Sequence, residues 1–342
     1  TTGQGEAPGY FMDSFDPALG VQCESCHGPG SEYMAEAVML DPVASQQAGL
    51  WKVTKETCLR CHDPDFDYEN KVKLIDHSRP VDPVSAAPAE YKTPFNLAVT
   101  RDGKRLYAAC EASGSLMVLD TGGGRILAEI PVGTLPHDVC LSPDETRAYV
   151  TNRGTDSVAV VDTGTLQVTQ SIPVGDEPHQ MATNREGNIL YVANGGSYDI
   201  SVVDTKAGKE IKRLGAGRGT WGVARSPGGE LIYVTNNLSQ FVPFRTPSLS
   251  EVTVIETARS FIHERIMIPE ANLVQGIDFS PDGEFALVTL LRTKNLVPMT
   301  RVVQGWVITN GIGVLWKDGR VDQLLLDEAD ASFADPTDVA IT

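Results

Sequence analysis

The chain has no apolar run long enough to span a bilayer and no cluster of Lys and Arg that would track a phosphate backbone. The first absence predicts no membrane span within these residues, and the second excludes a nucleic-acid-binding role. No secretory leader is visible at the start, so the sequence reads as a mature one. Cations are scarce: 28 Lys and Arg stand against 45 Asp and Glu, for a formal charge of −17. Histidine and cysteine are scarcer still, with six of each in 342 residues. A framework of many disulfides is therefore not on offer to a chain of this length.

What little there is of both is concentrated. Four of the six cysteines fall in Cys23-Glu24-Ser25-Cys26-His27 and Cys58-Leu59-Arg60-Cys61-His62. Cys-x-x-Cys-His is the attachment signature of a c-type haem: two thiols add to the vinyl groups and the adjacent imidazole ligates iron from the proximal side. Two copies predict two covalent haem c groups, one on Cys23, Cys26 and His27 and one on Cys58, Cys61 and His62. Attachment of this kind takes place outside the cytoplasm, which predicts an exported chain, periplasmic or extracellular, of bacterial or archaeal type. Residues 1–88 carry 14 acidic and 6 basic side chains, so the haem-bearing region is the more acidic one. Such a surface steers a basic redox partner.

Each iron also needs a distal side. His/His ligation suits electron transfer, whereas an open position admits substrate. His77 is the spare histidine of this region and the predicted distal ligand of one haem. For the other iron the candidates are Met12, Met34, Met39, Tyr10 and Tyr33, a histidine from elsewhere, or an open position.

The segment 1–89 is rich in Gly, Pro and Asp and lacks strand alternation, which predicts a small domain of loops and short helices, with Ser31 and Thr54 as helix caps. Pro80, Pro83 and Pro88 mark a linker. From there to residue 342 the chain repeats. Tyr107, Tyr149, Tyr191 and Tyr233 are 42 residues apart, as are Asp120, Asp162 and Asp204, and Gly133, Gly175 and Gly217. A fixed period of this length means stacked modules. Within one unit, Pro136–Leu141, Arg147–Thr151, Val158–Val161 and Val168–Ile172 read as four short antiparallel strands, the make-up of a propeller blade. The fold class is thus mostly β: a propeller of four-stranded blades over 90–342, preceded by a small dihaem cytochrome c domain over 1–89. Units open near Pro94, Pro136, Pro178, Thr220, Val274 and Pro336. That makes five to six blades here and seven when complete, with the last unit unfinished at the C-terminus.

Three of these units carry Tyr149-Val150-Thr151-Asn152, Tyr191-Val192-Ala193-Asn194 and Tyr233-Val234-Thr235-Asn236, and on them the repeats resemble the YVTN family of β-propellers. The front of the chain, from Gly20 to Ser31 with the motif at Cys58 and the later His77, resembles multihaem cytochromes of the type that accept electrons from hydroxylamine oxidation. That resemblance implies electron carriage and supports His77 as a ligand.

Counting strands places the blade starts and the loops between second and third strands on one face, with the Ser142-Pro143-Asp144 type of turn on the other. The long insertions Asn237–Ser250 and Leu291–Asn310 project from the blade-start face, where loops on a rigid scaffold tend to carry function. His137 and His179 sit on that face, one residue after the opening proline, with Phe95, Trp221, Gln275 and Thr337 as their equivalents. They are a candidate channel-mouth site, for a metal or for haem docking; the plain alternative is packing encoded by the repeat. Arg292, Lys294, Arg301 and Trp306 on the larger insertion offer contacts to an acidic partner. Cys110 and Cys140 fit either a disulfide between blades or two separate small thiols.

Three functions fit. The leading one is a multihaem carrier with the propeller as docking platform for the haem domain, a redox partner or other subunits. The others are an oxidoreductase acting on a small nitrogen or oxygen compound at an open haem, and a structural subunit of a larger multihaem complex.

Overall fold

The computed structural model describes residues 92–243, 246–293, 308–326 and 336–341. All regular structure in these residues is strand, and it forms a β-propeller. The chain divides into two compact units, Thr1–Ala87 and Pro88–Thr342, and the described residues belong to the second. The helices expected before residue 89 lie outside them.

Blade 1 consists of Pro94–Val99, Arg105–Cys110, Ser115–Asp120 and Arg125–Pro131, paired antiparallel in chain order. Blade 2 (Pro136–Leu141, Arg147–Asn152, Ser157–Asp162, Gln167–Pro173) and blade 3 (Pro178–Thr183, Ile189–Asn194, Asp199–Asp204, Lys209–Gly215) repeat it. Blade 4 is Thr220–Arg225, Leu231–Asn236, Leu249–Glu256 and Phe261–Pro269. The fifth sheet departs from the expectation. Its inner strand is split into Ala271–Asn272 and Ile277–Phe279, both paired with Phe285–Thr293, before Ile308–Trp316 and Val321–Leu325 follow. Its pairing thus begins three residues before the expected opener Val274. Pro336–Ile341 continues the series beside this inner strand, where the Ile341 N–H donates to Asp278 Oδ2 at 2.8 Å.

The motif residues explain the period. The tyrosines pack between blades and are almost wholly buried in blades 1 to 3 (Tyr107 1%, Tyr149 1%, Tyr191 0%), each within an apolar layer of Val, Ile and Leu. Such layers supply most of the stability, at roughly 25 cal/mol per Å² of apolar surface removed from water. The threonine staples two inner strands: Thr151 Oγ1 accepts the Asp138 N–H (2.9 Å) and donates to the His179 carbonyl of the next blade (2.7 Å). Thr235 does the same between Gly222 (2.7 Å) and Gln275 (2.6 Å). The repeating aspartate caps the turn between third and fourth strands, with Asp162 Oδ1 accepting the N–H groups of Gly164 and Thr165.

The asparagine and the glycine belong together. A Cβ on Gly133 would lie 2.6 Å from Asn152 Cγ, and one on Gly175 would lie 2.5 Å from Asn194 Nδ2, so only glycine leaves room for the amide. Where the asparagine is lost the glycine goes with it. Blade 5 has Leu290 and Ala271 at these places, and both are buried in its core. In blade 1 Cys110 replaces the asparagine and Tyr91 stands where the glycine would be.

Cys110 and Cys140 are free thiols, which settles the choice against a disulfide. Burial pushes the Cys140 thiol up to about 12. Among the described residues no helix is long and apolar enough to cross a membrane.

Candidate functional site

The candidate site is built by an irregularity that every regular blade shares. In blades 1 to 4 the pairing of the first two strands slips between the opening residue and the third position after it, as at Pro136 and Val139. A bulge of this kind bends the strand and re-aims its side chains. The residue after each opener is thereby delivered to a common row. Phe95 lies against His137 with ring centroids 4.0 Å apart, His137 meets His179 edge-on at 4.6 Å, and His179 stacks on Trp221 at 3.8 Å. Four residues placed in one column of the sequence thus touch in sequence order across four blades.

Both imidazoles are sealed in, at 0% and 2% exposure, and joined by a hydrogen bond of 3.1 Å between His137 Nε2 and His179 Nδ1. Burial, with the positive charge of Arg153 nearby, pushes His137 down to about 2 and His179 down to about 3, so both are neutral at any physiological pH. Asp138, the next residue, faces the opposite demand. Its buried carboxyl accepts the Met181 N–H at 3.0 Å and is pushed up to about 7 by desolvation. Gln180 occupies the same place in blade 3 and accepts the Val223 N–H at 3.2 Å.

Behind His137 stands an ion pair that sequence reasoning missed. Glu111 Oε1 lies 3.7 Å from His137 Nδ1 and 3.2 Å from Arg153 Nη1. The signal was present, because Glu111 and Arg153 are themselves 42 residues apart, an acid and a base in one column of adjacent blades. An Nδ1–H on His137, turned toward Glu111, leaves Nε2 to accept from the Nδ1–H of His179. This tautomer is the one that spares the carboxylate a facing lone pair.

Of the residues singled out in the sequence, Phe95, His137, His179 and Trp221 lie in contact in one row. Among the described residues no group of three or more His, Cys, Asp and Glu is placed to hold a metal ion, so the metal alternative finds no ligand set in them. The haem residues Cys23, Cys26, His27, Cys58, Cys61, His62 and His77 lie outside the described residues. Their donor chemistry, two thiols and an imidazole within five positions, is what covalent haem c requires. Arg292 pairs with Glu270 rather than standing free for a partner, while Lys294, Arg301 and Trp306 fall outside the described residues.

The blade-start face is also where large apolar side chains reach water. Phe95 is 45% exposed and Phe241, on the blade 4 insertion, 86%. The insertion is tied down at its base by hydrogen bonds from the N–H groups of Asn237 and Leu238 to the carbonyls of Gly219 and Arg218. The Arg218 guanidinium lies 3.9 Å from the Phe241 ring centre.

Comparison with known proteins divides the chain in the same way. Residues 127–216 match the family described as lactonase, seven-bladed β-propeller, and residues 1–28 match cytochrome c554 and c-prime. The second match takes in Cys23, Cys26 and His27. No curated protein matches the chain. Among solved structures the chain is similar to Kuenenia stuttgartiensis hydrazine synthase, with 25% identity over 74% of this chain and 72% of that one and a TM-score of 0.67. A putative 6-phosphogluconolactonase from Bacteroides uniformis shares the fold at 13% identity and a TM-score of 0.52, over 68% of this chain and 71% of that one. These likenesses support a cytochrome c segment joined to a propeller.

Proposed function

We propose that the chain is an exported multihaem c-type cytochrome that carries electrons through two covalent haems, with its propeller as a docking and assembly platform. The observation that carries this reading is the pair of Cys-x-x-Cys-His motifs, the first of which lies inside the match to cytochrome c554. Haem iron held in this way supplies one-electron exchange. Cys23, Cys26 and His27 hold one group, Cys58, Cys61 and His62 the other, and His77 supplies one distal bond. The imidazoles of the row at the blade-start face are buried and stay neutral, and the one neighbouring group brought near neutrality, Asp138, is spent on the Met181 N–H, which suits a packed docking surface better than an acid-base site.

The haem domain docks on this same blade-start face, beside His137 and His179. A short proline-bearing linker ending near Pro94 supports that side, as do the exposed Phe95 and Phe241. Cross-links from residues 1–87 to the Ser142-Pro143-Asp144 turn would overturn it. Similarity to hydrazine synthase favours a second role as a subunit of a larger complex handling a small nitrogen compound.

The test of the leading reading is a haem count on the intact chain with its spin state. Two covalent haems, falling to one in Cys58→Ala with Cys61→Ala, are expected, with one low-spin signal lost in His77→Ala. A signal shifted by added nitrite or hydroxylamine would favour the enzymatic alternative, and an unchanged count would defeat the second motif.

A further inference from the structure

On the turn face, the first two junctions between blades are each bridged by an arginine that opens the second strand. Arg105 of blade 1 donates to the Thr163 carbonyl of blade 2 at 3.1 Å, and Arg147 of blade 2 donates to the Thr205 carbonyl of blade 3 at 2.9 Å. The next member of the column, 42 residues on, is Ile189. Its side chain cannot reach, and the corresponding Thr257 carbonyl of blade 4 receives only a long bond from Tyr191 Oη at 3.4 Å. The space that the arginine would fill is open. A cleft of about 760 Å³ lies here between blades 3 and 4, against about 220 Å³ at the arginine-bridged junction of blades 2 and 3. Its size is that of a site for a small molecule.

The lining of this cleft is unusual for a chain of charge −17. Arg185, Lys212 and Arg259 line it together with two carboxylates, Glu186 and Glu230. Arg185 spends one nitrogen on the Gly228 carbonyl at 3.3 Å, and Lys212 Nζ donates to the Ser260 carbonyl at 2.5 Å; among the described residues neither has a carboxylate partner, whereas Arg259 Nε lies 3.8 Å from Glu256 Oε2. Lys212 stands where blade 2 has Gln170, which makes the same bond to the Gly208 carbonyl at 2.9 Å without a charge. The charge at Lys212 is thus not needed for the bridge. Ser260, one of the lining residues, is held in place by the hydroxyl of the buried Tyr191, which pairs with its Oγ at 2.8 Å.

We infer that the cleft between blades 3 and 4 binds a small polyanion bearing carboxylate or phosphate groups, held by Arg185, Lys212 and Arg259. Charge-assisted bonds from an ammonium or guanidinium to such a group are about twice as strong as neutral ones. The site is on the face opposite His137 and His179 and does not depend on the haem reading.

The repeat itself supplies the variants. Ile189→Arg restores the residue of blades 1 and 2 and fills the cleft; Lys212→Gln restores the residue of blade 2 and removes one charge. The full chain is titrated with citrate and with inorganic phosphate by calorimetry, with sodium chloride at matched ionic strength as control. Binding to the wild type is expected, weakened about tenfold by Lys212→Gln and abolished by Ile189→Arg, with the unliganded melting temperature of both variants held or raised. No heat from either anion up to about 10 mM, or binding that survives Ile189→Arg, would overturn the assignment. Uptake of free arginine in place of the anions would also sink it, since the cleft would then be reading a cation.

Discussion

On the blade-start face the repeat's side chains along the row from Phe95 to Trp221 are neutral, with the imidazoles of His137 and His179 buried between the two aromatics. On the turn face they are charged and wet. There Asp144 is held below the usual carboxylate range by bonds from Ser142 and Thr146, and Asp162 by bonds from Thr165 and Gly164. Asp138, near the blade starts, is driven the other way by burial. The same residue type, on the same blades, therefore gains or loses its proton according to which end of the strand it occupies. Donors decide at one end and desolvation at the other.

The contrast can be broken hardest where the blade-start face is tightest. Gly175→Val places new atoms against Asn194 Nδ2 and Ser197 Oγ, and a loss of about 3 kcal/mol or more is expected in urea unfolding. Combining Gly175→Ala with Asn194→Leu copies the blade 5 pair of Ala271 and Leu290. The double variant should be more stable than Gly175→Ala alone, and a purely additive result would show that the two residues are not coupled. A smaller loss, about 2 kcal/mol, is expected for Thr235→Val, which leaves the Gly222 N–H and the Gln275 carbonyl without their shared hydroxyl. Blade 3 carries Ala193 at this position, so the fold itself survives the change.

The mildest test sharpens the comparison through pH. His137 and His179 stay neutral in the fold down to about 2 and about 3, while in the unfolded chain each takes a proton near 6.5. Asp138 is protonated in the fold below about 7 and in the unfolded chain only below 3.8. From about pH 6 down to about pH 4 the unfolded chain thus binds two protons where the fold binds one. That single excess proton makes stability fall by about 1.4 kcal/mol for each pH unit of acidification. Replacing the imidazoles with residues from their own column, His137→Phe with His179→Gln, leaves Asp138 alone and reverses the slope. The urea midpoint measured between about pH 6 and about pH 4.5 reads both signs. A wild-type midpoint that rises on acidification would mean that the imidazoles carry charge in the fold.

Much of this was legible in the sequence because the repeat puts equivalent residues in register. The four strands of blade 2 begin and end within a residue of their expected bounds, and the row from Phe95 to Trp221 follows from one column. Breaks in a column were legible too, though harder to weigh: Ile189 for arginine opens a cleft, while Ala271 and Leu290 compensate each other. What pattern alone did not give was contact between columns. The approach of Glu111 to His137 and the early pairing of Ala271–Asn272 depend on how adjacent sheets are turned, a property of three dimensions rather than of period.

The fit between asparagine and glycine also sets a direction of travel for any drift of one blade away from its siblings. Enlarging the glycine first forces a collision with the amide, whereas shrinking the asparagine first leaves a void and a carbonyl, such as that of Val132, without its donor. A lineage can cross through the void, since a cavity displaces no neighbour whereas the overlap falls on an amide already fixed by its own hydrogen bond. Blade 5, with Ala271 and Leu290, holds the pair at one end of that route, and the asparagine blades hold the pair at the other.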